Sequence, residues 1–157
     1  MSDNYIINTH NLGYPRIGER RELKRITEAF WKGKATSDNL LSAGRELRTR
    51  NWRKQQEAGI DLIPCNDFSF YDQMLDFSSL VGNVPSRFEW PGGEVSLDTC
   101  FLMARGSRSE GHEGCTHGGT FACEMTKWFD TNYHYIVPEF SADTRFQLCG
   151  DKVFKEF

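Results

Sequence analysis

Apolar and polar positions alternate along this chain in blocks that predict short strands separated by helices. Tyr5–Leu12 is a short, partly polar strand candidate. A turn framed by Gly13, Pro15 and Gly18 follows. Leu23, Ile26 and Phe30 then recur at spacings of three and four, which predicts a helix running to about Lys32 and stopped by Gly33. Thr36 and Ser37 are N-cap candidates for a second helix, with Asp38 in its first turn. Leu40, Ala43 and Leu47 continue that helix, which Gly59 closes. Ile60–Pro64 reads as a buried-type strand, with Cys65, Asn66 and Asp67 at its C-terminal end.

The second half repeats the theme. Ser69 is a cap candidate for a helix over about Phe70–Leu80, with Met74, Leu75 and Phe77 expected in the core. Gly82–Pro85 ends it, and Ser86–Glu94 is loop-like around Pro91, Gly92 and Gly93. Ser96 caps a short helix, Leu97–Ala104, stopped by Gly106. Ser107–Thr120 is Gly-rich and reads as an exposed loop. A third strand falls near Asn132–Val137, followed by Pro138 and Glu139, and Asp151–Phe157 looks like a helix just begun. Strand, helices, strand, helices, strand argues for an α/β fold with a parallel sheet in a single domain, residues 1–157.

Composition narrows the function classes. At 157 residues with 12 Phe, 5 Tyr and 4 Trp, one domain with a real core is expected. The net charge of −3 does not suggest attraction to nucleic acid or membrane. No apolar run approaches the roughly 20 residues of a membrane span, and Met-Ser-Asp-Asn-Tyr does not open like a secretory signal. The odd set Cys65, Cys100, Cys115, Cys123 and Cys149 fits reduced thiols, as in a cytoplasmic protein.

Charge is most unusual at Leu12–Lys24. Arg16, Arg20, Arg21, Lys24 and Arg25 crowd the loop and first turns of the first helix. Cations are unfavourable at the positive end of a helix dipole. Their placement suits a site that receives an anion, through free backbone N–H groups and cationic side chains. The plain alternative is a solvated basic face, softened by Glu19, Glu22 and Glu28. For Arg45, Arg48, Arg50, Arg53 and Lys54 on the second helix, a solvent face is the expectation.

Leu12–Lys24 resembles the N-terminal signature of cobalamin-independent methionine synthase. Arg45–Trp52 with Ala58–Pro64, Asp67–Asp76, Leu80–Pro85, Leu97–Gly106 and Glu124–Phe140 are similar to later stretches of the same family, in order. The resemblance spans most of Asn11–Phe140. It implies about three β/α units of a (β/α)8 TIM-type barrel, the first of two barrels in a longer polypeptide. Three strands cannot close such a barrel. The chain is therefore expected to be a fragment or an open sheet, with the catalytic C-terminal barrel absent.

The family transfers a methyl group from 5-methyltetrahydropteroyl-polyglutamate to homocysteine. By resemblance, Arg21, Glu22, Leu23, Lys24, Lys127 and Asn132 line the site for the folate polyglutamate, whose tail is a string of carboxylates. Arg16, Asp67 and Trp128 are weaker candidates, as are Tyr71 and His134. No catalytic residue and no metal ligand is expected here. Zinc in the complete family enzyme activates the homocysteine thiol, through ligands that match nothing in this chain, and no cobalamin is used. His112, Cys115, His117 and Cys123 are zinc-type donors but lack a paired Cys-x-x-Cys knuckle. The alternatives are a truncated, non-catalytic folate- or polyanion-binding module, or a non-functional remnant.

Overall fold

The structure is a computed structural model that describes residues 7–107 and 119–155. His112, Cys115 and His117, and most of the Gly-rich loop, lie outside the described residues, as do Tyr5 and Ile6 of the first strand candidate. The chain divides into two compact units, one reaching to Phe70 and one spanning Tyr71–Lys155.

In the first unit, α1 covers Glu22–Trp31 and α2 covers Ser37–Glu57. The α2 start follows the sequence. Thr36 Oγ1 accepts from the Asn39 N–H at 3.2 Å, and Asn39 Oδ1 accepts from the Thr36 N–H at 3.0 Å, a complete capping box. Leu23 of α1 and Leu47 of α2 meet Phe68 in a buried cluster against which Ile26 and Phe70 pack. Phe70 sits so close to Gly44 that a Cβ there would fall 2.6 Å from its ring, which is why α2 tolerates a poor helix former at this position.

The two strand candidates of this unit shrink to a single parallel bridge, His10 to Leu62. Thr9 fixes it. Its carbonyl accepts from the Asp61 and Leu62 N–H groups, and its own N–H donates to Asp61 Oδ2 at 2.8 Å. The expectation of a buried strand at Ile60–Pro64 fails: Leu62 is 58% exposed. One bridge makes no sheet face, so the apolar run has nothing to bury itself against.

The second unit holds α3 (Gln73–Leu80), a 3-10 turn (Ser86–Phe88), α4 (Leu97–Arg105), β1 (Met125–Lys127) and β2 (His134–Ile136). Leu75, Phe88, Met103, Ala104, Cys123 and Ile136 form its core. The cap of α3 is Asp72, not Ser69. Asp72 Oδ1 accepts from Met74 and Leu75 at 2.8 and 3.0 Å, and a carboxylate serves two first-turn donors better than a hydroxyl does. Phe77 lies outside the core because Leu75, Ser78 and Ser79 define the buried face, and two residues from Leu75 is the far side of a helix. Ser96 caps α4 by accepting from the Thr99 N–H at 3.1 Å, and Gly106 ends it, as the sequence predicts.

The expected third parallel strand is instead the second arm of an antiparallel hairpin. Met125 faces Ile136, Thr126 faces Tyr135, and Lys127 faces His134. Trp128 N–H donates to the Tyr133 carbonyl at 2.7 Å, closing the loop between the arms. A connection this short joins antiparallel strands only; a parallel crossover needs a dozen residues or more. At the other end, Asp151–Lys155 makes a hydrogen-bonded turn and not yet a helix. The chain is thus mixed helix and strand. Among the described residues, no helix is long and apolar enough to cross a membrane.

Asp72 ties this unit together. Its second oxygen accepts from the Ile136 N–H at 3.1 Å, so one buried carboxylate serves both α3 and β2. Asp72→Ala leaves three backbone donors without an acceptor, and we expect a loss of about 2–3 kcal/mol in urea unfolding. Burial raises the Asp72 carboxyl above its ordinary 3.8, against the pull of those N–H groups. The folded chain therefore holds this proton more tightly than the unfolded chain does. The resulting stability is complete below the ordinary value and is lost as pH rises through the folded one. As pH rises from below the ordinary carboxylate value, wild type should accordingly lose stability relative to Asp72→Asn; a pH-independent difference would refute the assignment.

Candidate functional site

The basic stretch begins at a loop held from below. Asp67 Oδ2 accepts from the Tyr14 N–H at 2.7 Å, and Asn11 Oδ1 accepts from Gly13 at 3.0 Å. Asn11 in turn donates to Gln55 Oε1 of α2 at 2.8 Å. Asp67 is therefore engaged in shaping the loop. Tyr14, Asp67 and Phe68 line a small cleft with Arg48, Asn51, Trp52 and Gln55 of α2, and the Arg48 guanidinium lies 5.0 Å from the Phe68 ring centre.

The first turn of α1 differs from the open N-terminus that the charge pattern suggests. Glu22 Oε2 accepts from the Arg20 N–H at 2.8 Å, while the Leu23 N–H donates to the Ile17 carbonyl and the Arg21 N–H to that of Gly18. The Glu22 carboxyl is held below its ordinary range, first by its own backbone N–H and then by that of Arg20. The Arg20, Arg21 and Leu23 N–H groups are thus already engaged.

The side chains of this stretch divide by role. Arg21 adopts left-handed backbone angles, φ 59° and ψ 38°, and its side chain is exposed. Such a conformation costs a non-glycine residue about 1–2 kcal/mol. Among the described residues, no hydrogen bond or ion pair engages the Arg21 guanidinium. Lys24, one turn further on, is exposed and loosely paired with Glu28 at 3.7 Å. Arg16 is half-buried in the same loop. Leu23 points into the core at 3% exposure and Glu22 into the turn, so these two shape the site from beneath.

Two cations of the expected solvent face are also tied to the loop by ion pairs. Arg50 Nη1 donates to Glu22 Oε1 at 3.1 Å, and Lys54 pairs with Glu19. Arg50 and Lys54 stand one turn apart on α2. Their sequence signal was the match of that spacing to Glu19 and Glu22 across the loop, which periodicity within one helix does not reveal.

Lys127, Trp128 and Asn132 belong to the second unit and sit on the hairpin. Lys127 ends β1 with its side chain exposed. Trp128 packs edge-to-face with Tyr135 and Phe129, ring centres 5.4 Å apart in both pairs. Asn132 is exposed in the loop, and its carbonyl lies 3.1 Å from His134 Nδ1. Glu139 is committed elsewhere: Arg87 grips it with two hydrogen bonds of 2.6 Å and donates from Nε to the Phe121 carbonyl. That grip holds the Glu139 carboxyl below its ordinary range. Sequence reading missed Arg87, which sits in a stretch that reads as loop. Tyr71 packs against the core, and burial raises its hydroxyl pKa.

The described thiols are unpaired. Burial pushes Cys123 up to about 12 and Cys100 up to about 11, so neither offers a thiolate near neutral pH. Of the four zinc-type donors, Cys123 is the described one, and it is a core residue beside Arg87 and Glu139. Among the described residues, no three His, Cys, Asp or Glu side chains are grouped to hold a metal ion.

A family model for the cobalamin-independent synthase N-terminal domain matches residues 8–157. The chain is 58% identical over 147 residues to the 5-methyltetrahydropteroyltriglutamate–homocysteine methyltransferase of Salinibacter ruber, covering 94% of this chain and 19% of that protein. It is 55% identical to the proteins of the same name from Syntrophotalea carbinolica and Flavobacterium johnsoniae, again covering 19% of each. The chain spans about a fifth of the length of these curated relatives. With nearly all of its length matched, the chain belongs to the family of the cobalamin-independent synthase N-terminal domain.

Proposed function

We propose that this chain forms the opening part of the N-terminal barrel of a cobalamin-independent methionine synthase. In that role it binds the polyglutamate tail of 5-methyltetrahydropteroyl-polyglutamate during methyl transfer to homocysteine in the cytoplasm. The observation that carries the reading is the 58% identity, over 94% of the chain, to a relative named for that reaction. The parallel bridge from His10 to Leu62 supports the barrel part, because neighbouring strands of a β/α barrel pair in parallel across the helices between them.

The division of labour follows from the side chains. Arg21 and Lys24 present two cations one helical turn apart, a spacing suited to successive carboxylates of an extended tail. Arg16 adds to the field of the loop. Glu22, Leu23 and Asp67 hold the backbone that carries them. On the second unit, the exposed Lys127 and Asn132 offer a further cation and polar group. The remaining barrel strands, and the C-terminal barrel as partner, come from sequence beyond this chain. Zinc in the complete enzyme would supply thiol activation there.

Arg21→Gly separates binding from folding. Glycine takes left-handed angles without penalty, so the variant should be as stable as wild type or more stable by about 0.5–1 kcal/mol. It should also bind 5-methyltetrahydropteroyltriglutamate about fivefold more weakly, from loss of one surface ion pair worth about 1 kcal/mol. Fluorescence titration with the triglutamate and the monoglutamate checks this. Unchanged triglutamate affinity in a folded Arg21→Gly chain would remove Arg21 from the site.

A further inference from the structure

The acidic residues inside the basic stretch are latches. Glu19 and Glu22, three apart in the loop and first turn, meet Lys54 and Arg50, four apart on one face of α2. Glu22 reaches both ways, with Oε1 to Arg50 at 3.1 Å and Oε2 to the Arg20 N–H at 2.8 Å. Gly18 completes the turn. Its φ is 81°, and a Cβ there would stand 2.2 Å from Glu22 Oε2 and 3.1 Å from Leu47 Cδ2. The turn from Gly18 to Glu22 is thus pinned on one side by the core and on the other by α2, with Arg21 left-handed at its end.

Left-handed angles at an arginine persist only where the surroundings impose them. The Gly18 turn and the Glu22 carboxylate do so here, and Arg50 orients that carboxylate. The latches also consume two cations of α2 and two anions of the loop. The charge left over at the start of α1 is that of Arg20, Arg21, Lys24 and Arg25, partly offset by Glu28. We propose that Arg50, acting through Glu22, is a positioning residue for this anion site: it fixes the Gly18–Glu22 turn so that the Arg21 guanidinium stands clear to receive a tail carboxylate. This rests on the tail-binding reading above, which supplies the anion.

Two measurements on the full chain test it. Amide hydrogen exchange reads the latch without ligand. In Arg50→Met the Arg20 and Arg21 amides should exchange at least tenfold faster, while those in the middle of α1 and α2 keep their protection. Titration with 5-methyltetrahydropteroyltriglutamate and with the monoglutamate reads the positioning. The ratio of the two affinities should fall about fivefold in Arg50→Met. It should stay within about twofold of wild type in Arg50→Lys, whose ammonium still reaches a carboxylate. A purely structural role would weaken both compounds alike and leave the ratio unmoved. Unaltered exchange in Arg50→Met overturns the latch. Faster exchange with an unaltered ratio overturns the positioning role alone. Equal binding of the two compounds by wild type overturns the tail-binding reading and the positioning role with it, while faster exchange in Arg50→Met would still report the latch.

Discussion

Backbone N–H groups at a helix start must find acceptors, and in this chain carboxylates supply them at two decisive places. At α3 the acceptor is Asp72, buried, which also reaches Ile136. Just ahead of α1 it is Glu22, partly exposed, which accepts from the Arg20 N–H and also reaches Arg50. The two settings act differently on the proton. Asp72 is desolvated and its carboxyl is pushed up. Glu22 keeps its water and gains donors, so its carboxyl is pulled down. The first is a structural tie made at an electrostatic cost. The second is a support at the surface, set beneath residues that remain open to a ligand.

That difference decides how an anion can be bound. A helix start with free N–H groups binds phosphate or carboxylate through its backbone. Here Glu22 takes the Arg20 N–H and the Ile17 carbonyl takes the Leu23 N–H, so part of that backbone is already engaged. Arg21 and Lys24 are exposed beyond these bonds, an arrangement that under the proposed function would suit a long ligand with several charges better than a compact one. The same logic explains the mixed signs in the sequence. Glu19 and Glu22 do not dilute the basic patch, because each is spent on a cation of α2 that would otherwise belong to the surface.

Local signals were legible at two helix starts. Thr36 with Asn39, and Ser96 with Thr99, are caps written in consecutive residues, and the structure has both. The helices, their stops at Gly59 and Gly106, and the core residues Leu23, Leu40, Leu47 and Leu75 follow from spacing alone. Other features were not. Asp72 took the place of Ser69 as cap because its carboxylate serves two first-turn donors, and its further tie to Ile136, 64 residues away, has no local signal. Ile60–Pro64 reads as buried because its composition is that of a covered strand, but covering is a property of neighbours. The charged cluster of Leu12–Lys24 was visible, whereas the split between exposed Arg21 and buried Leu23 needed the helix axis.

Surface ion pairs are individually weak, each worth roughly 0.2–1 kcal/mol. An exposed pair of cations therefore discriminates poorly between tails of different length unless both are already in place when the ligand arrives. Fixing a long side chain costs side-chain entropy comparable to the pair it makes. Preorganising the backbone beneath it is the cheaper route, because the turn is then ordered on folding and not on binding. The left-handed Arg21, pinned between Gly18 and Glu22, places that ordering in the folded chain. Under the proposed function, selectivity for a polyglutamate tail would reside as much in Gly18, Glu22 and Arg50, none of which need touch the ligand, as in the exposed cations.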